Sequence, residues 1–543
     1  MNIAAQISAA KLAGSKRLDL SCGLKEFPVE IFDLADSLEI LDLSGNDLSA
    51  LPDDFARLHK LRILFCSDNQ FTQLPAVLGQ CPQLGMVGFK ANKIREVPAA
   101  AFGKSLRWLI LTDNQISELP AAIGQCTQLQ KLMLAGNQLQ ALPQELAGCT
   151  QLELLRIAAN RFTALPDWLI SLPRLSWLAY AGNPYCAADE DGAMALTPVK
   201  IIHWRHLDLQ HKLGEGASGV IHQAEWQHPH LKTKDVAVKL FKGALTSDGL
   251  PRSEKAACIS AGAHPNLIPV HGKIIDHPEA KKGLIMSLIA PSFRNLAGPP
   301  SLDSCTRDIY DADTGFTLDT VLRIAHDIAS AARHLHARGI MHGDLYAHNI
   351  LHNGAGECLL GDFGAASFIP QQDQAHALAL QRIEVRAFGC LLEELLERCG
   401  TADGNQDSIN ALMALQANCT KDSSSARPLF SEIFKSAGEI AGRNQISRMA
   451  CAALATASAA KRRQLLGSKL FIFPVEGVEI FKGDNVRILE VEQIVSWNRH
   501  HKTNERDHDS PLHRMEFLDF FELLDFAHSA RAKLCFLLVK HIV

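Results

Sequence analysis

The stretch "LEILDLSGNDLSALP", residues 38–52, sets the pattern for the first third of the chain. Leu38, Leu41 and Leu43 follow the spacing L-x-x-L-x-L, an asparagine comes next, and a Leu-Pro pair closes the segment. The asparagine position recurs every 22 or 23 residues, at Asn46, Asn69, Asn92, Asn114, Asn137, Asn160 and Asn183. A fixed period of this length indicates a repeat architecture, in which stacked repeats bury a core that no single repeat can bury alone.

The repeated segments resemble the leucine-rich repeat family over residues 16–186. An earlier copy, "RLDLSCGLKEFP", has Gly23 in the asparagine position. The resemblance implies a curved solenoid within residues 1–200, with short parallel strands on its concave face. The asparagine amides are expected to bond backbone groups at each turn of the solenoid.

One column of side chains is predicted to point outward from the concave face. It holds the residue before the second leucine of each repeat: Ile40, Ile63, Met86, Trp108, Lys131, Leu154 and Trp177, with Phe65, Ile110 and Met133 beside it. Strand propensity alone favours Ile and Trp. Large apolar side chains on an open face are, however, typical of a binding surface. We expect a protein partner or substrate there, at Ile40, Ile63, Met86, Trp108, Leu154 and Trp177.

Composition excludes several other classes of protein. The net charge of −5 gives no basic surface for nucleic acid. The N-terminus lacks the order of a secretory signal, and no apolar run reaches the length of a membrane span, so we expect a cytoplasmic protein. The 14 cysteines form no C-x-x-C pair. Cys81, Cys126 and Cys149 share a repeat position that elsewhere holds leucine, which predicts burial instead of zinc binding.

A different pattern begins near residue 205. "LGEGASGV" carries Gly214, Gly216 and Gly219 between β-type stretches, and glycines permit the close backbone approach of a phosphate cradle. "VAVK" places Lys239 on a strand, and Glu254 lies 15 residues later in a stretch that can form a helix. "HGDLYAHN" and "GDFG" then supply three polar residues: Asp344, Asn349 and Asp362.

This ordered set resembles the eukaryotic-type protein kinase family over about residues 205–440. The resemblance implies a bilobal fold that uses ATP and Mg²⁺. Lys239, oriented by Glu254, would hold the ATP phosphates; Asp362 and Asn349 would carry the metal; Asp344 would accept the acceptor's proton. Further nucleotide contacts are expected on the glycine-rich loop, on the strand of Lys239 and at the hinge between lobes: Leu213, Gly214, Gly216, Gly219, Val220, Ala237, Met286, Ser287 and Leu288.

Three departures from the kinase pattern stand out. Gly343 replaces the arginine that precedes the catalytic aspartate. The segment from Asp362 to Glu384 is short and lacks Ala-Pro-Glu, so Arg427 is expected to lack its usual glutamate partner. Ser367 is the only hydroxyl residue in 365–383. These absences predict an enzyme that is not switched by phosphorylation of this segment.

Tyr346 is the third departure, because it replaces a lysine that touches the transferring phosphate. Its hydroxyl could donate one hydrogen bond but carries no charge. We therefore place Tyr346 beside Asp344 and Lys239 as a catalytic candidate with weaker charge stabilisation.

The expected fold class is multidomain, α/β plus α+β: a leucine-rich-repeat solenoid followed by a bilobal protein-kinase-like fold. The chain resembles bacterial-type leucine-rich-repeat protein kinases, which implies Ser/Thr phosphorylation. Two alternatives stay open: a small-molecule phosphotransferase of the same fold, and a nucleotide-binding pseudokinase scaffold. Residues 441–543 match no known pattern and are expected to form a C-terminal extension.

Overall fold

The computed structural model describes residues 14–456, except 198, 217, 228–232, 244, 247 and 401–405, together with isolated residues before 14 and short strands after 470. The chain forms two compact units. The first contains residues 1–316, 324–398 and 413–434, and the second contains residues 317–323, 399–412 and 435–543.

The repeats form one parallel sheet of eight short strands within the first unit. The strands are β1 (Arg17–Asp19), β2 (Ile40–Asp42), β3 (Ile63–Phe65), β4 (Met86–Gly88), β5 (Trp108–Ile110), β6 (Lys131–Met133), β7 (Leu154–Arg156) and β8 (Trp177–Ala179). The column predicted from the sequence is in register from strand to strand, since Ile40 pairs with Ile63 and Leu154 pairs with Trp177. Short 3-10 helices follow the Leu-Pro pairs. The predicted solenoid is confirmed.

The repeat asparagines hold neighbouring turns together. Asn46 accepts a hydrogen bond from the Leu24 N–H at 2.9 Å and donates to the carbonyl groups of Leu20 and Leu43. The same pattern recurs at the later asparagines, so the expected ladder is present. Cys149 is buried among the repeat leucines, and burial raises the pKa of its thiol to about 12. Cys81, Cys126 and Cys149 are therefore core residues, as predicted.

A six-stranded mixed sheet follows the solenoid. After α1 (Pro184–Leu196), its strands are β9 (Ile201–His203), β10 (Leu207–Glu215), β11 (Gly219–Trp226), β12 (Lys234–Phe241), β13 (Val270–Ile275) and β14 (Gly283–Ser287), in the spatial order β10-β11-β12-β14-β13-β9. Helix α2 (Pro251–Ala261) begins with a proline at its first position, where the missing N–H costs no hydrogen bond.

The remaining elements are mostly helical. They are β15 (Arg294–Asn295), α3 (Leu318–Ala337), β16 (Ile340–Met341), β17 (Ile350–His352), β18 (Cys358–Leu360), β19 (Ser367–Phe368), α4 (Gln374–Glu397), α5 (Gln406–Cys419) and α6 (Phe430–Thr456). A small sheet followed by a helical part is the bilobal arrangement that the sequence predicts.

The second unit contains the first turn of α3, part of α5 and most of α6. Asn444 of α6 donates to Asp319 of α3 at 2.6 Å. Four short strands follow: β20 (Phe471–Ile472), β21 (Val478–Lys482), β22 (Asn485–Leu489) and β23 (Leu537–Leu538). Helix α6 passes residue 440 without a break, although the sequence places the end of the kinase-like domain there. Among the described residues, no helix is both long and apolar enough to cross a membrane.

Candidate active site

A buried ion pair joins a central strand of the six-stranded sheet to helix α2. Lys239, on β12, pairs with Glu254, on α2, as the sequence predicts, and both side chains are almost fully buried. The Lys239 Nζ also lies 3.8 Å from the Asp362 carboxylate. Burial lowers the pKa of Lys239, but the charges of Asp362 and Glu254 outweigh it and raise the pKa above its usual value. The ammonium group is therefore charged and fixed in place.

Asp344 lies in the loop between β16 and β17. Asn349 donates from Nδ2 to the Asp344 backbone carbonyl at 2.9 Å and to its Oδ2 at 2.8 Å. The His342 Nε2 lies 2.8 Å from the carbonyl oxygen of Gly361, next to Asp362. These bonds bring the two sequence motifs "HGDLYAHN" and "GDFG" together, as expected.

Glu384 anchors this loop from helix α4, a role that sequence reasoning missed. Its Oε1 accepts the Gly343 N–H at 2.7 Å, and its Oε2 lies 2.7 Å from the His336 Nε2. Burial raises the pKa of Glu384, but His336, His342 and the Gly343 N–H together lower it.

The glycine-rich loop joins β10 to β11. A side chain at Gly214 or Gly216 would meet only open space, whereas a Cβ at Gly219 would lie 2.6 Å from the Leu240 carbonyl oxygen. Gly219 is therefore needed for strand packing, and the other two glycines leave room on the loop. Leu213 is exposed, and Val220 pairs with Leu240 of β12.

The expected hinge residues lie at the end of β14. Met286 of β14 pairs with Ala237 of β12, which lies two residues before Lys239. Ser287 is half-buried and donates its N–H to Pro269, and Leu288 is half-buried beyond the strand. The predicted nucleotide residues are thus grouped along β10, β11, β12 and β14.

The donor set fits Mg²⁺. The Asp362 side chain is 52% exposed, so its carboxylate can accept a ligand bond. Asn349 uses its amide nitrogen to hold Asp344, which leaves its carbonyl oxygen for a cation. Carboxylate and amide oxygens are the ligands that Mg²⁺ prefers, usually one or two of them together with substrate phosphates.

The repeat sheet contacts this site directly through Arg156, which sequence reasoning also missed. Arg156, on β7, forms an ion pair with Asp344, donates to Asp248 at 2.8 Å and donates to the Gly343 carbonyl at 3.1 Å. Its side chain is 2% exposed. Burial raises the pKa of Asp344, but Arg156, His348 and His342 lower it below its usual value. A lone arginine among Phe65, Ile110 and Met133 was the available signal.

Tyr346 faces the repeats. Its ring stacks on the indole of Trp177, with ring centroids 4.1 Å apart and planes 7° apart. The Trp177 Nε1 donates to the Leu345 carbonyl at 3.1 Å. The Tyr346 hydroxyl is buried and has no hydrogen-bond partner among the described residues. The structure thus gives Tyr346 a packing contact with the repeats.

Gly343 is closely packed between the short segment after Asp362 and the repeats. Its φ is +74°, a conformation that favours glycine, and a Cβ there would lie 2.5 Å from the Ala365 carbonyl oxygen and 2.7 Å from that of Leu178. The positive φ, the Ala365 carbonyl and strand β8 together leave no room for the arginine that is usual at this position.

The short segment after Asp362 is held by the two residues that follow β8. The Ser367 hydroxyl accepts the N–H groups of Tyr180 at 3.0 Å and Ala181 at 3.1 Å, and Ser367 is fully buried. The Tyr180 hydroxyl donates to the Phe368 carbonyl. These contacts occupy the Ser367 hydroxyl and bury it in the folded chain.

Arg427 has no carboxylate partner among the described residues, as expected. It donates instead to backbone carbonyl groups, including Lys421 at 2.7 Å and Pro173 of the repeats at 2.6 Å. Burial lowers the pKa of Arg427 to about 10.

The expectation of an open concave face needs a correction at the C-terminal end of the sheet. Trp177 is 1% exposed and Leu154 5% exposed, because the kinase-like domain of the same chain packs there. Thr306 donates to Glu153, and Asp303 lies 4.0 Å from Arg62. Ile63 and Met86 are buried as well, whereas Ile40 and Trp108 are half-buried.

His348 is a structural residue of the same loop. Its Nδ1 lies 2.7 Å from the Asp308 Oδ1, and its N–H donates to Oδ2 of the same carboxylate. Burial lowers the pKa of His348, but the hydrogen bond and charge of Asp308 outweigh it and raise the pKa.

The fold and the site define a bilobal phosphotransferase domain joined to a repeat solenoid. The family model for protein tyrosine and serine/threonine kinases matches residues 207–394, and the leucine-rich repeat model matches residues 37–58. The chain therefore carries a protein kinase domain preceded by leucine-rich repeats. The kinase family description covers both tyrosine and serine/threonine acceptors.

Several known proteins are similar to this part of the chain at low identity. Activated Cdc42 kinase Ack of Drosophila melanogaster is 23% identical over 189 residues, which cover 33% of this chain and 16% of that protein. A probable serine/threonine-protein kinase of Dictyostelium discoideum is 26% identical over 174 residues, 32% of this chain and 10% of that protein. Ephrin type-B receptor 4 of Homo sapiens is 24% identical over 278 residues, 43% of this chain and 27% of the receptor.

The matched region thus spans well under a third of each of these relatives. These similarities favour a protein kinase over a small-molecule phosphotransferase.

Proposed function

We propose that the chain is an ATP-dependent protein kinase that phosphorylates serine or threonine. The observation that carries this proposal is the joint placement of Lys239, Glu254 and Asp362 on one side and Asp344 with Asn349 on the other. These are the groups that phosphate binding, metal binding and acceptor activation require. ATP as the phosphate donor follows from the kinase domain.

Each of these residues has a separate role in the transfer. Asp344 accepts the proton of the acceptor hydroxyl while that oxygen bonds to the γ-phosphorus. The bond from the γ-phosphorus to the β,γ-bridging oxygen breaks, and ADP leaves with its electron pair. Lys239 holds the α- and β-phosphates. Asp362 and Asn349 would hold Mg²⁺, which neutralises phosphate charge when bound.

The free part of the concave face is the proposed site for a protein partner or substrate. Ile40 and Trp108 lie in the outward column and are only half-buried, and Phe65 and Ile110 beside them are half-buried too. Such a group of large apolar side chains suits a protein partner. The cytoplasm remains the proposed location, which the free state of the described cysteines supports.

The test is incubation of the full chain with labelled ATP and Mg²⁺, followed by mapping of phosphorylated residues. Label on serine or threonine is expected. Asp344→Asn should reduce transfer by about 10²–10⁴-fold with ATP binding retained. Asp362→Ala should remove the thermal stabilisation that ATP and Mg²⁺ give together. Asp313→Asn, at an exposed position, is the matched control. Transfer by Asp344→Asn at the wild-type rate, or label confined to tyrosine, would contradict the proposal.

A further inference from the structure

Arg156 belongs to the repeat domain but contacts the catalytic loop. Its Nη2 binds the Asp344 carboxylate, its Nη1 donates to the Gly343 carbonyl, and its Nε donates to Asp248. The planar guanidinium thus uses three donors in three directions, which fixes its orientation. Arg156 is also one of the largest fully buried side chains of the described residues.

The contact is built into a closely packed interface. Trp177, Tyr180 and Ser367 are buried there, at 1%, 0% and 0% exposure. Separating the domains would expose these side chains and leave Arg156 without its two carboxylate partners. The apolar and aromatic surface that would be exposed opposes such a separation. Asp344 therefore works with Arg156 in place.

The loop position two residues after Asp344, which usually holds a lysine, carries no charge in this chain. Tyr346 is neutral, and its hydroxyl is buried against the repeats. Asn349 holds Oδ2 of Asp344 from one side, and Arg156 holds Oδ1 from the other. The two contacts together determine where the carboxylate points. In phosphoryl transfer, catalysis depends largely on positioning and on charge placed near the reacting atoms.

We propose that Arg156 is a positioning residue of the phosphate-transfer site, so that the repeat domain completes the active site of the kinase domain by holding the Asp344 carboxylate. This inference rests on the proposed kinase function. The acceptor oxygen bonds to the γ-phosphorus, ADP leaves, and the acceptor's proton passes to Asp344 in the orientation that Arg156 sets.

The experiment compares full-length wild type, Arg156→Gln and Arg156→Lys. The readouts are label transferred from ATP to the chain itself and ADP released with water as acceptor, each with Mg²⁺. Arg156→Gln should lower kcat by about 10²-fold or more, with the KM for ATP changed less than about threefold, because the lost contact is on the acceptor side. Arg156→Lys should recover part of the loss, since it keeps the charge but not the planar fork.

Arg386→Gln is the matched control for a weakened interface. Arg386 also joins the two domains, through its Nη1 to the Ser176 hydroxyl at 2.8 Å, but it does not contact Asp344. It should lower thermal stability with kcat nearly unchanged. An equal loss of kcat in Arg386→Gln would make the effect structural and overturn the inference.

Two other results separate the inference from the proposed function. Transfer by Arg156→Gln at the wild-type rate or faster would overturn the inference alone, and faster transfer would make the contact inhibitory. No transfer by wild type would overturn the proposed function and the inference with it.

Discussion

The indole of Trp177, on the last strand of the repeat sheet, stacks on the ring of Tyr346 in the catalytic loop, with ring centroids 4.1 Å apart and planes 7° apart. The repeats and the kinase domain therefore meet at the loop that carries Asp344. Stacked aromatic rings stabilise a fold beyond the contribution of the apolar area that they bury.

Tyr346→Phe should leave transfer and stability close to wild type, because the hydroxyl has no hydrogen-bond partner among the described residues. Tyr346→Lys should lower both, since it removes the stack and buries an ammonium group near Arg156. Steady-state transfer and urea unfolding of both variants are the measurements. Higher turnover in Tyr346→Lys would show that the pocket still accepts the charge usual in the family.

Trp177→Ala should lower the free energy of unfolding by about 3–5 kcal/mol, the range for deletion of a large buried aromatic side chain. Trp177 is 1% exposed, and its replacement removes both the stack on Tyr346 and the hydrogen bond to the Leu345 carbonyl. Trp108→Ala, in the same column but half-buried, is the control and should cost clearly less. Equal losses of unfolding free energy in the two variants, measured with denaturant, would show that the contact of Trp177 with the kinase domain adds no stability.

Gly343→Ala should destabilise the chain by about 3 kcal/mol or more. The positive φ and the two carbonyl oxygens within 2.7 Å of the added Cβ both oppose a side chain there. Gly354→Ala, in a turn where a Cβ meets open space, is the control and should be nearly neutral. Thermal unfolding of the two variants checks this, and similar melting temperatures would argue against close packing at Gly343.

Ser367→Ala should cost about 1–3 kcal/mol of stability, because the buried N–H groups of Tyr180 and Ala181 lose their acceptor. Ser105→Ala removes a hydroxyl bond to the Pro82 carbonyl at the surface and should cost less. Chemical unfolding gives both values. The prediction fails if wild-type protein acquires phosphate on Ser367 in its folded state, since the residue would then be accessible.

Stability should fall as pH rises from about 5 to 8, in part because of Glu394. Burial, the largest influence, raises the pKa of Glu394 to about 7, although Arg307 and the Tyr310 hydroxyl favour its charged form. A raised pKa in the folded state means that the contribution to stability is complete below the ordinary value of 4.5 and is lost as pH passes 7. The loss is at most about 3 kcal/mol.

Glu394→Gln should remove this part of the pH dependence. Urea unfolding at several pH values compares the variant with wild type. Parallel stability curves for the two proteins would show that Glu394 does not titrate in this range.

The local sequence was sufficient to predict each domain separately. The spacing of Leu38, Leu41, Leu43 and Asn46 determines the strand, the core and the turn of a repeat, because each depends on neighbours within about 25 residues. The order of the glycine-rich loop, Lys239, Glu254, Asp344 and Asp362 likewise predicted which groups would come together, since those positions are fixed within one fold.

Only the tertiary structure decided how the two domains meet. In the sequence, Gly343 and Tyr346 replace the arginine and lysine that are usual in kinases. In the structure, each of them packs against the repeats. The lone Arg156 in an apolar column did not reveal its role, because its partner Asp344 lies 188 residues away in another domain. Periodicity and motifs report contacts within a repeat or a fold. A contact between separately folded surfaces depends on their shapes and charges after folding, which no local pattern encodes.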